Sequence, residues 1–518
     1  MPNMQGCTFF HAGYSFFISP AFWFSSEPQT VYRFVLAINS FLISSVFLLV
    51  YYLLKYIFLF DHKISILSSL VTSLYPPLFL HSITTWAENA IIPLFVVPSI
   101  LLYLVMKRES LSLGIVFGLS VSFLYTVHPR SLPVLAITLL YLLFLTFLKI
   151  LSLRIIVASL SSLTFGLIAT LALHDSLRFL GWYGGGSPLT SHVLSRFTHQ
   201  IGISQFLLGL AGQLWYLTAS TYGLFVVGCF ILGLTIWQNR FSLKKKTSIT
   251  AETHALLFYG LSSAGVFILS VFFLSGPKWR AEHLIYGRYN ESFIAAFVAV
   301  ALGAILASRY DRKWRKTWIL AILVGLSGLG LITSLIEVNP IDVSSIIPVN
   351  VYGMFPILGT LVYKLKVSFT YGVMACTLFF LLSILFLTGA FKLRRIFGVI
   401  ALSSLFLIMG VSQYVVLYLP QTGDVLILPK VIHSMPDIKM VSYDVAYGRQ
   451  GEIYRYQYFL PRAQFVFFNS SKNEFPQSPY FISSRFFQEP QKFGAQVIAL
   501  EKEGNLALWV KKGALQNR

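Results

Sequence analysis

The sequence has little charge for its length. Of its 518 residues, 11% are charged and 56% are hydrophobic, whereas an ordinary soluble domain has roughly 25% charged residues. A chain with so few polar side chains cannot cover its own apolar surface in water. The scarcity of charge therefore excludes an ordinary water-soluble protein and indicates that the chain lies in a lipid bilayer.

Cysteines and acidic residues are scarce as well. The three cysteines, Cys7, Cys229 and Cys376, are too few and too far apart for a disulfide framework or a cysteine metal site. The sequence has 19 acidic residues and 39 lysines and arginines, which gives a net charge of +20. In a soluble protein this excess would suggest nucleic acid. Here much of it lies in short connections between apolar runs, so no nucleic-acid partner is predicted.

Long apolar runs are what the sequence has in quantity. A membrane helix needs about 20 mostly apolar residues, and twelve runs qualify, which predicts an α-helical polytopic membrane protein. They lie at roughly 31–60, 64–83, 89–106, 111–127, 131–149, 153–173, 211–236, 255–274, 292–308, 317–336, 369–390 and 394–418. We therefore predict an external N-terminal segment at 1–30, a transmembrane domain at 31–418 and a second domain at 419–518.

The connections between the runs alternate in charge. One set is short and basic, as in Lys107-Arg108 and Lys244 to Lys246. The other set comprises residues 1–30, 84–88, 128–130, 174–210, 275–291, 337–368 and the tail from 419. Because short cytoplasmic loops carry the excess of lysine and arginine, the basic set is predicted to be cytoplasmic. Twelve spans then place both termini outside the membrane.

The last hundred residues differ in pattern from the rest of the chain. Apolar runs shorten to the length of strands, and Gly451 to Leu460 reads as a helix, which predicts a small external α/β domain. The predicted strands are Val425 to Leu428, Lys439 to Tyr443, Gln464 to Phe468, Tyr480 to Ser483, Ala495 to Leu500 and Leu506 to Val510.

Short motifs stand at the predicted external ends of the spans. They are His11 to Tyr14 followed by Asn39, Thr84 to Asn89, His128 to Arg130, Ala211 to Leu217, and Tyr286 to Tyr289. In this order they resemble GT-C superfamily glycosyltransferases, which are polytopic enzymes that use polyprenyl-phosphate-linked sugars. The superfamily includes protein mannosyltransferases, mycobacterial arabinosyltransferases and the lipid A aminoarabinose transferase. The resemblance implies a multi-pass hexosyl- or pentosyltransferase of the bacterial plasma membrane, with its C-terminal domain external.

One departure from the family concerns the N-terminus. The family carries its catalytic aspartate early in the first external loop, just after a first span, and this sequence has neither. Its first acidic residue is Glu27. We expect that the reading frame omits a first helix, which would give thirteen spans with a cytoplasmic start. The alternative is a member without the usual base.

The reaction that the resemblance implies is inverting glycosyl transfer. A general base takes a proton from the acceptor hydroxyl while the phosphate of the lipid donor leaves. Glu88, at the external end of a span, is the preferred candidate as a catalytic carboxylate, and His128 is a second catalytic candidate. Each also has a purely structural interpretation: Glu88 as an acid that favours a helix N-terminus, and His128 as a hydrogen-bonded structural histidine.

A leaving phosphate needs positive or polar groups near the outer surface. Arginine suits this because its planar fork can form two parallel hydrogen bonds to phosphate oxygens. The alternative to phosphate binding is a structural role, in which basic residues at span ends extend to lipid headgroups. The candidate binding residues for the donor phosphate or substrate are Arg130, Lys278, Arg280, His283, Arg288 and Tyr289.

Two further features carry weaker signals. Trp215 and Tyr216 are interpreted as aromatics at the membrane interface. No spacing of histidine, aspartate and glutamate is a strong metal signature. A divalent cation is compatible with the family, but the sequence does not indicate one.

The preferred function is transfer of a sugar from a polyprenyl-phosphate donor to a glycan, lipid or protein acceptor on the outer face of the membrane. Three alternatives remain open: a transporter or flippase for lipid-linked sugars, an O-antigen-type polymerase or ligase, and a catalytically degenerate member of the family. Transporters usually place ionisable residues in the middle of spans, and this sequence places few there.

Overall fold

The structure is a computed structural model. It describes residues 11–179, 203–241, 249–275, 281–307, 314–336, 348–417, 427–435, 438–446, 456, 460, 463–484, 494–500 and 506–511. Most of these residues are helical, and a small sheet stands near the C-terminus.

The twelve predicted spans all correspond to apolar helices. Among the described residues, seven helices are long and apolar enough to cross a membrane, two spans are bent helix pairs, and three are shorter apolar helices. The helices before the C-terminal domain are α1 Gly13–Ile18, α2 Ala21–Phe24, α3 Pro28–Tyr52, α4 His62–Ser73, α5 Pro76–Ser82, α6 Glu88–Arg108, α7 Leu111–Val127, α8 Leu132–Phe147, α9 Leu153–Phe179, α10 Ile203–Ser220, α11 Leu224–Gln238, α12 Ile249–Leu274, α13 Ala281–Leu284, α14 Glu291–Leu306, α15 Trp314–Ile336, α16 Phe355–Gly359, α17 Phe369–Leu393 and α18 Arg395–Leu417. The prediction of an α-helical membrane protein is confirmed.

The first long helix, α3, begins where the sequence provides a cap. The Glu27 carboxylate accepts hydrogen bonds from the backbone N–H groups of Gln29 and Thr30, and Pro28 occupies the first helical position. A side-chain acceptor followed by proline is a common start for a helix, because the first N–H groups lack partners within the helix. Glu27 is therefore engaged in capping.

Two predicted spans are each bent rather than straight. The span at 64–83 is divided into α4 and α5, which meet at 62° just before Pro76. The span at 211–236 is divided into α10 and α11, which meet at 102°. At this second bend Tyr222 and Gly223 have φ values of 50° and 81°, a left-handed conformation that interrupts the helix. Residues of α5 and α10 next to these bends, among them Leu78 and Ala219, are buried.

Helix α14 lies in the centre of the bundle. Every residue from Glu291 to Leu306 is buried. Small residues let its neighbours approach closely, as membrane helices commonly do: a side chain at Gly228 of α11 would collide with the backbone of Phe297. Because α14 is enclosed along its whole length, its first residue, Glu291, lies inside the protein.

The C-terminal domain contains one five-stranded sheet, with strands β1 Met440–Asp444, β2 Gln464–Phe468, β3 Tyr480–Ser484, β4 Ala495–Leu500 and β5 Leu506–Lys511. The strand order is β2-β1-β3-β5-β4. β1 is parallel to β2 and β3, and β5 is antiparallel to β3 and β4. Five of the six predicted strands are confirmed.

The sixth predicted strand, Val425 to Leu428, is wrong. Residues from Ile427 onward form the helix α19, Ile427–His433, and residues before 427 lie outside the described part. Leu428 and Ile432 of this helix pack in the same core as strand residues such as Ile482. A short apolar run fits a buried helix as well as a strand, so its pattern alone could not decide. Most of the helix predicted at Gly451 to Leu460 lies outside the described residues.

Candidate functional site

Three segments that are far apart in sequence meet at one end of the bundle. The first is the start of α6 with Trp86 before it, the second is His128 to Arg130 between α7 and α8, and the third is the turn Tyr286–Asn290 before α14. All three belong to the connections that charge patterning predicts to be external. The structure thus brings together Glu88, Arg130 and Arg288, which we call the arginine cluster.

The Glu88 carboxylate is the centre of the arginine cluster. Its side chain is fully buried. Its Oε1 accepts hydrogen bonds from Arg130 Nη1 at 2.9 Å and Arg288 Nε at 2.6 Å, and its Oε2 accepts one from Arg288 Nη2 at 3.1 Å. Arg288 therefore binds the carboxylate through two parallel N–H groups, the strong geometry for this pair. Both oxygens are occupied by guanidinium donors.

Arg130 uses only part of its guanidinium. Its side chain is 4% exposed, and its Nη1 donates to Glu88 and, at 3.3 Å, to the backbone oxygen of Arg288. Within the described part of the chain, its Nε and Nη2 have no hydrogen-bond partner. These two N–H groups lie on one edge of the guanidinium, in the geometry that binds a two-oxygen anion. Two guanidiniums against one carboxylate also leave an excess positive charge.

Aromatic rings flank both arginines. The guanidinium carbon of Arg288 lies 3.5 Å from the centre of the Trp86 ring, and that of Arg130 lies 5.4 Å from the Tyr289 ring. Arg288 is 17% exposed at its side chain. Desolvation opposes its charge, but the Glu88 carboxylate outweighs this effect, so the pKa of Arg288 is raised. The rings and the carboxylate hold both cations in place.

His128 supports the Arg130 backbone. Its Nδ1 accepts a hydrogen bond from the Arg130 N–H at 3.1 Å, and its ring lies 5.9 Å from that of Tyr289. Desolvation, and then the nearby positive charge of Arg130, hold the pKa of His128 well below its ordinary value. The ring is therefore neutral. Because Nδ1 accepts, the proton is assigned to Nε2.

The N-terminal motif is tied to the start of α6. The Tyr14 hydroxyl donates to Asn39 Oδ1 at 2.8 Å, and Asn39 Nδ2 donates to the backbone oxygen of Thr84 at 2.9 Å. Asn89 Nδ2 donates to the same oxygen at 2.7 Å. Two motifs that carried the family resemblance are thus joined by hydrogen bonds that fix the turn before Glu88.

A second buried cluster, which was not predicted from the sequence, lies next to the first and joins α5, α10 and the start of α14. His81 Nε2 lies 2.7 Å from Glu291 Oε2, the Tyr216 hydroxyl donates to Glu291 Oε1 at 2.9 Å, and the Gly353 N–H donates to the Tyr216 oxygen at 3.0 Å. We call His81, Glu291 and Tyr216 the His81 network. All three side chains are buried.

The interpretation of Trp215 and Tyr216 as aromatics at the membrane interface is wrong. Both side chains are fully buried, and Trp215 donates to Thr377 at 2.9 Å. The close approach of the turn before α14 explains the burial of Tyr216, because a side chain at Gly287 would collide with its ring. An aromatic residue near the end of a span fits the interface and the interior equally well, so the sequence alone gave no basis to choose.

The arginine cluster and the His81 network are linked through their segments. Residues 81–88 supply Glu88 to the arginine cluster and His81 to the His81 network. Residues 288–291 supply Arg288 to the arginine cluster and Glu291 to the His81 network. Arg288 binds Glu88, whereas His81 binds Glu291. Each segment therefore holds the other at two points.

Of the four remaining predicted residues, one lies in the site, one lies on α13, and two lie outside the part of the chain that the structure describes. Lys278 and Arg280 lie outside the described residues. His283 is partly buried on α13, with its ring 6.4 Å from that of Tyr286. Tyr289 lies between Arg130 and His128 in the site itself.

No group of three histidine, cysteine, aspartate or glutamate side chains in the described ranges is arranged to hold a metal ion. Both oxygens of Glu88 already accept hydrogen bonds from arginine. The described residues therefore offer no clear ligand set for the divalent cation that the family resemblance allowed.

Comparison with known proteins gives one informative match. No protein-family model matches the sequence, and no curated protein sequence matches it significantly. The structure is similar to that of ArnT from Cupriavidus metallidurans, which was crystallised bound to undecaprenyl phosphate. The match has a TM-score of 0.54 and 12% sequence identity, and it covers 98% of this chain and 89% of that one. ArnT is a GT-C glycosyltransferase, and the chain described here has a GT-C-like fold.

Proposed function

We propose that the arginine cluster binds the phosphate of a polyprenyl-phosphate-linked sugar, and that the protein transfers this sugar to a cell-envelope acceptor. The main support for the proposal is the edge of the Arg130 guanidinium that is formed by Nε and Nη2. Its Nε and Nη2 are buried without a partner among the described residues, in a cluster with an excess of positive charge. A phosphate with two acceptor oxygens and negative charge fits both features.

The GT-C-like fold supports the same ligand class. The similar ArnT structure contains undecaprenyl phosphate, a lipid whose phosphate lies at the membrane surface and whose chain lies in the bilayer. In the proposed reaction the phosphate leaves as the acceptor oxygen bonds to the sugar. Arg130 and Arg288, held by Glu88, stabilise the negative charge that develops on the phosphate.

Glu88 positions the arginines in this proposal. Since guanidinium N–H groups bind both of its oxygens, the carboxylate is occupied by holding the two cations. His128 positions Arg130 through its backbone N–H. The sugar and the acceptor, whether glycan, lipid or protein, are not specified by these contacts.

The position of the charges supports transfer over transport. Glu88 and Glu291 each begin a helix, Arg130 lies in the turn before α8, and Arg288 lies in the turn before α14. A transporter usually carries its ionisable substrate site near the middle of broken spans. We propose that the site faces the outside of a bacterial plasma membrane, with the C-terminal domain on the same side.

A binding experiment tests the role of Arg130. Undecaprenyl phosphate is titrated into the purified protein in lipid nanodiscs, with the variants Arg130→Ala and Arg130→Lys. Losing charged hydrogen bonds worth about 1.5–3 kcal/mol weakens binding roughly 10- to 100-fold. We expect both variants to lose affinity, because lysine retains the charge but lacks the two-donor edge.

The matched control is Arg240→Ala. Arg240 also packs on an aromatic ring, with its guanidinium carbon 4.0 Å from the centre of the Trp237 ring, but it lies on a connection predicted to be cytoplasmic. Its loss should leave binding unchanged. If Arg130→Ala binds undecaprenyl phosphate as tightly as the wild type does, the assignment of the phosphate site is wrong.

Transfer is measured as release of undecaprenyl phosphate from its hexose- and pentose-linked forms, with an envelope lipid and glycan extract as acceptor. Release of undecaprenyl phosphate by the wild type would support an enzymatic function. Binding without release from any of these donors would instead support the degenerate, non-catalytic alternative.

A further inference from the structure

The His81 network sets which ring nitrogen of neutral His81 carries the proton. The Gly353 N–H donates to the Tyr216 oxygen, so the phenol proton is directed to Glu291 Oε1. Glu291 then accepts at both oxygens, and the second donor is His81 Nε2, at 2.7 Å. A neutral imidazole with its proton on one nitrogen has a lone pair on the other. The network therefore leaves His81 Nδ1 as the basic nitrogen.

His81 Nδ1 has no hydrogen-bond partner among the residues that the structure describes, and the His81 side chain is fully buried. A buried nitrogen without a hydrogen-bond partner destabilises the folded state. A histidine oriented by a carboxylate through one nitrogen, with the other nitrogen open, is the arrangement of a general base. The carboxylate also stabilises the imidazolium once the proton has been taken up.

The location of His81 connects this base to the proposed phosphate site. The Glu291 N–H donates to the backbone oxygen of Gly287 at 3.0 Å, so Glu291 lies on the same turn as Arg288. On the other segment, the backbone oxygen of His81 accepts from the Thr84 N–H at 2.9 Å, within the turn that leads to Glu88. The base and the arginines are thus held on one framework.

Glu88 does not compete for this role. A general base must be able to take up a proton from the acceptor hydroxyl, and the guanidinium groups on both oxygens of Glu88 favour its ionised form. Each oxygen of Glu291 accepts a hydrogen bond, one from His81 and one from Tyr216. Among the described residues of these two networks, His81 Nδ1 is the basic atom that has no hydrogen-bond partner.

We infer that His81 is the general base of the proposed transfer, oriented by Glu291 and Tyr216. The inference rests on the proposed function. His81 Nδ1 takes the proton of the acceptor hydroxyl as its oxygen forms a bond to the anomeric carbon of the sugar. The bond from that carbon to the phosphate oxygen breaks, and its electron pair leaves with the polyprenyl phosphate. The imidazolium later returns its proton to water.

The competing interpretation is a histidine that only supports the fold, and the choice of variant separates the two. In His81→Gln the side-chain amide can still donate to Glu291, but no basic nitrogen remains. In His81→Ala the ring is removed, which leaves space for free imidazole. A structural role would be retained by glutamine, whereas a base would be lost in both variants.

The test compares kcat with binding. Release of undecaprenyl phosphate from its hexose- and pentose-linked forms gives kcat, and titration with undecaprenyl phosphate gives Kd. We expect kcat to fall about 10²- to 10⁴-fold in both His81 variants, as for loss of a general base, while Kd stays within roughly twofold of the wild type. Free imidazole should restore part of the activity of His81→Ala. The control is His254→Gln, since His254 is also fully buried and bonded to a tyrosine, Tyr141, at 2.6 Å; its kcat should not change.

The outcomes distinguish this inference from the proposed function. If the wild type is active and the His81→Gln variant is equally active, His81 is not the general base, and the proposed function stands. A His81→Gln variant that binds undecaprenyl phosphate as poorly as Arg130→Ala also overturns it, because the residue would then act on binding. A wild type that releases nothing from any donor overturns the proposed transfer and the base together.

Discussion

Glu88 and Glu291 occupy equivalent positions and have different surroundings. Each is the first residue of a buried helix, α6 or α14, and each side chain is fully buried. Glu88 binds two guanidiniums, which carry permanent charge. Glu291 binds an imidazole and a phenol. The same residue type at the same helical position therefore supports two different electrostatic environments.

The difference indicates what each environment can do. The Glu88 side has excess positive charge and two N–H donors of Arg130 that have no partner among the described residues, which favours an anion. On the Glu291 side, the same part of the chain provides no partner for His81 Nδ1, which favours a proton donor such as a hydroxyl. A reaction that joins a hydroxyl to a sugar carried on phosphate needs both functions within one site.

The largest expected effect is a loss of stability, which should be greater when Glu88 is neutralised than when Glu291 is. Glu88→Gln should destabilise the protein by about 3–5 kcal/mol, because two buried guanidiniums lose their counter-charge. Glu291→Gln should cost about 1–3 kcal/mol, since two uncharged donors each lose only a strong hydrogen bond. The measurement is the thermal unfolding midpoint of each variant in the same nanodiscs.

The control for both substitutions is Glu252→Gln. Glu252 is also an acid in the first turn of a helix, α12, but its partner Lys107 is 47% exposed and lies 3.3 Å away. The Glu252 side chain is 13% exposed, but because water solvates its partner Lys107, the pair should contribute only about 0–1 kcal/mol. If Glu88→Gln were no more destabilising than this control, Glu88 would not be the electrostatic centre of the arginine cluster.

A smaller effect is expected when the support of Glu291 is removed. Tyr216→Phe deletes the hydroxyl that donates to Glu291 and accepts from the Gly353 N–H. Leaving these two groups without their partner should cost about 1–3 kcal/mol. Hydrogen exchange at the Gly353 amide should accelerate in the variant. Unchanged exchange would mean that the phenol does not hold this turn.

The smallest expected effect is the dependence of stability on pH that comes from His128, the residue that supports the Arg130 backbone. The pKa of His128 is lowered in the folded protein, so the unfolded chain takes up a proton below pH about 6.5 that the folded chain does not. Stability from this residue is fully present above that pH and falls as the pH decreases. Between pH 7 and pH 5 the loss should be about 1–2 kcal/mol.

His128→Asn isolates this contribution. Asparagine can still accept from the N–H two residues ahead, but it does not titrate. The unfolding midpoint of the variant should therefore fall less between pH 7 and pH 5 than that of the wild type. Identical pH dependence in the two proteins would show that His128 is protonated as easily in the folded state as in the unfolded state.

The arginine cluster was accessible to sequence reasoning because of where its charges lie. Arg130 and Arg288 stand in connections that charge patterning predicts to be external, where positive charge is disfavoured, and Glu88 stands at the start of a span. Each was selected as an individual candidate. Their mutual contacts, and the open edge of Arg130, depend on three segments separated by up to 200 positions in the chain, which no local pattern describes.

The His81 network was missed for identifiable reasons. His81 fell inside the predicted span at 64–83, where hydropathy averages hide a single polar residue. An ionisable residue within a span, close to Pro76 and Pro77, was the available signal, since such residues tend to be functional. Glu291 stands near several other charged residues, among them Arg280 and Arg288, so the sequence gives it no distinct signal. Tyr216 was assigned to the interface because the 102° bend after α10 leaves no trace in an apolar pattern.

The sequence by itself determined that the chain is a helical membrane protein, where its apolar helices lie, and most of the strands of the small sheet. These follow from composition and from periodicity along the chain, because burial of apolar residues stabilises the corresponding helices and strands. The GT-C-like layout was implied by the resemblance of its short motifs to that superfamily. Only the tertiary structure decided which charges meet. The pairing of Arg288 with Glu88 and of His81 with Glu291 requires both segments to be enclosed around α14, where a buried carboxylate must find a partner or lose stability.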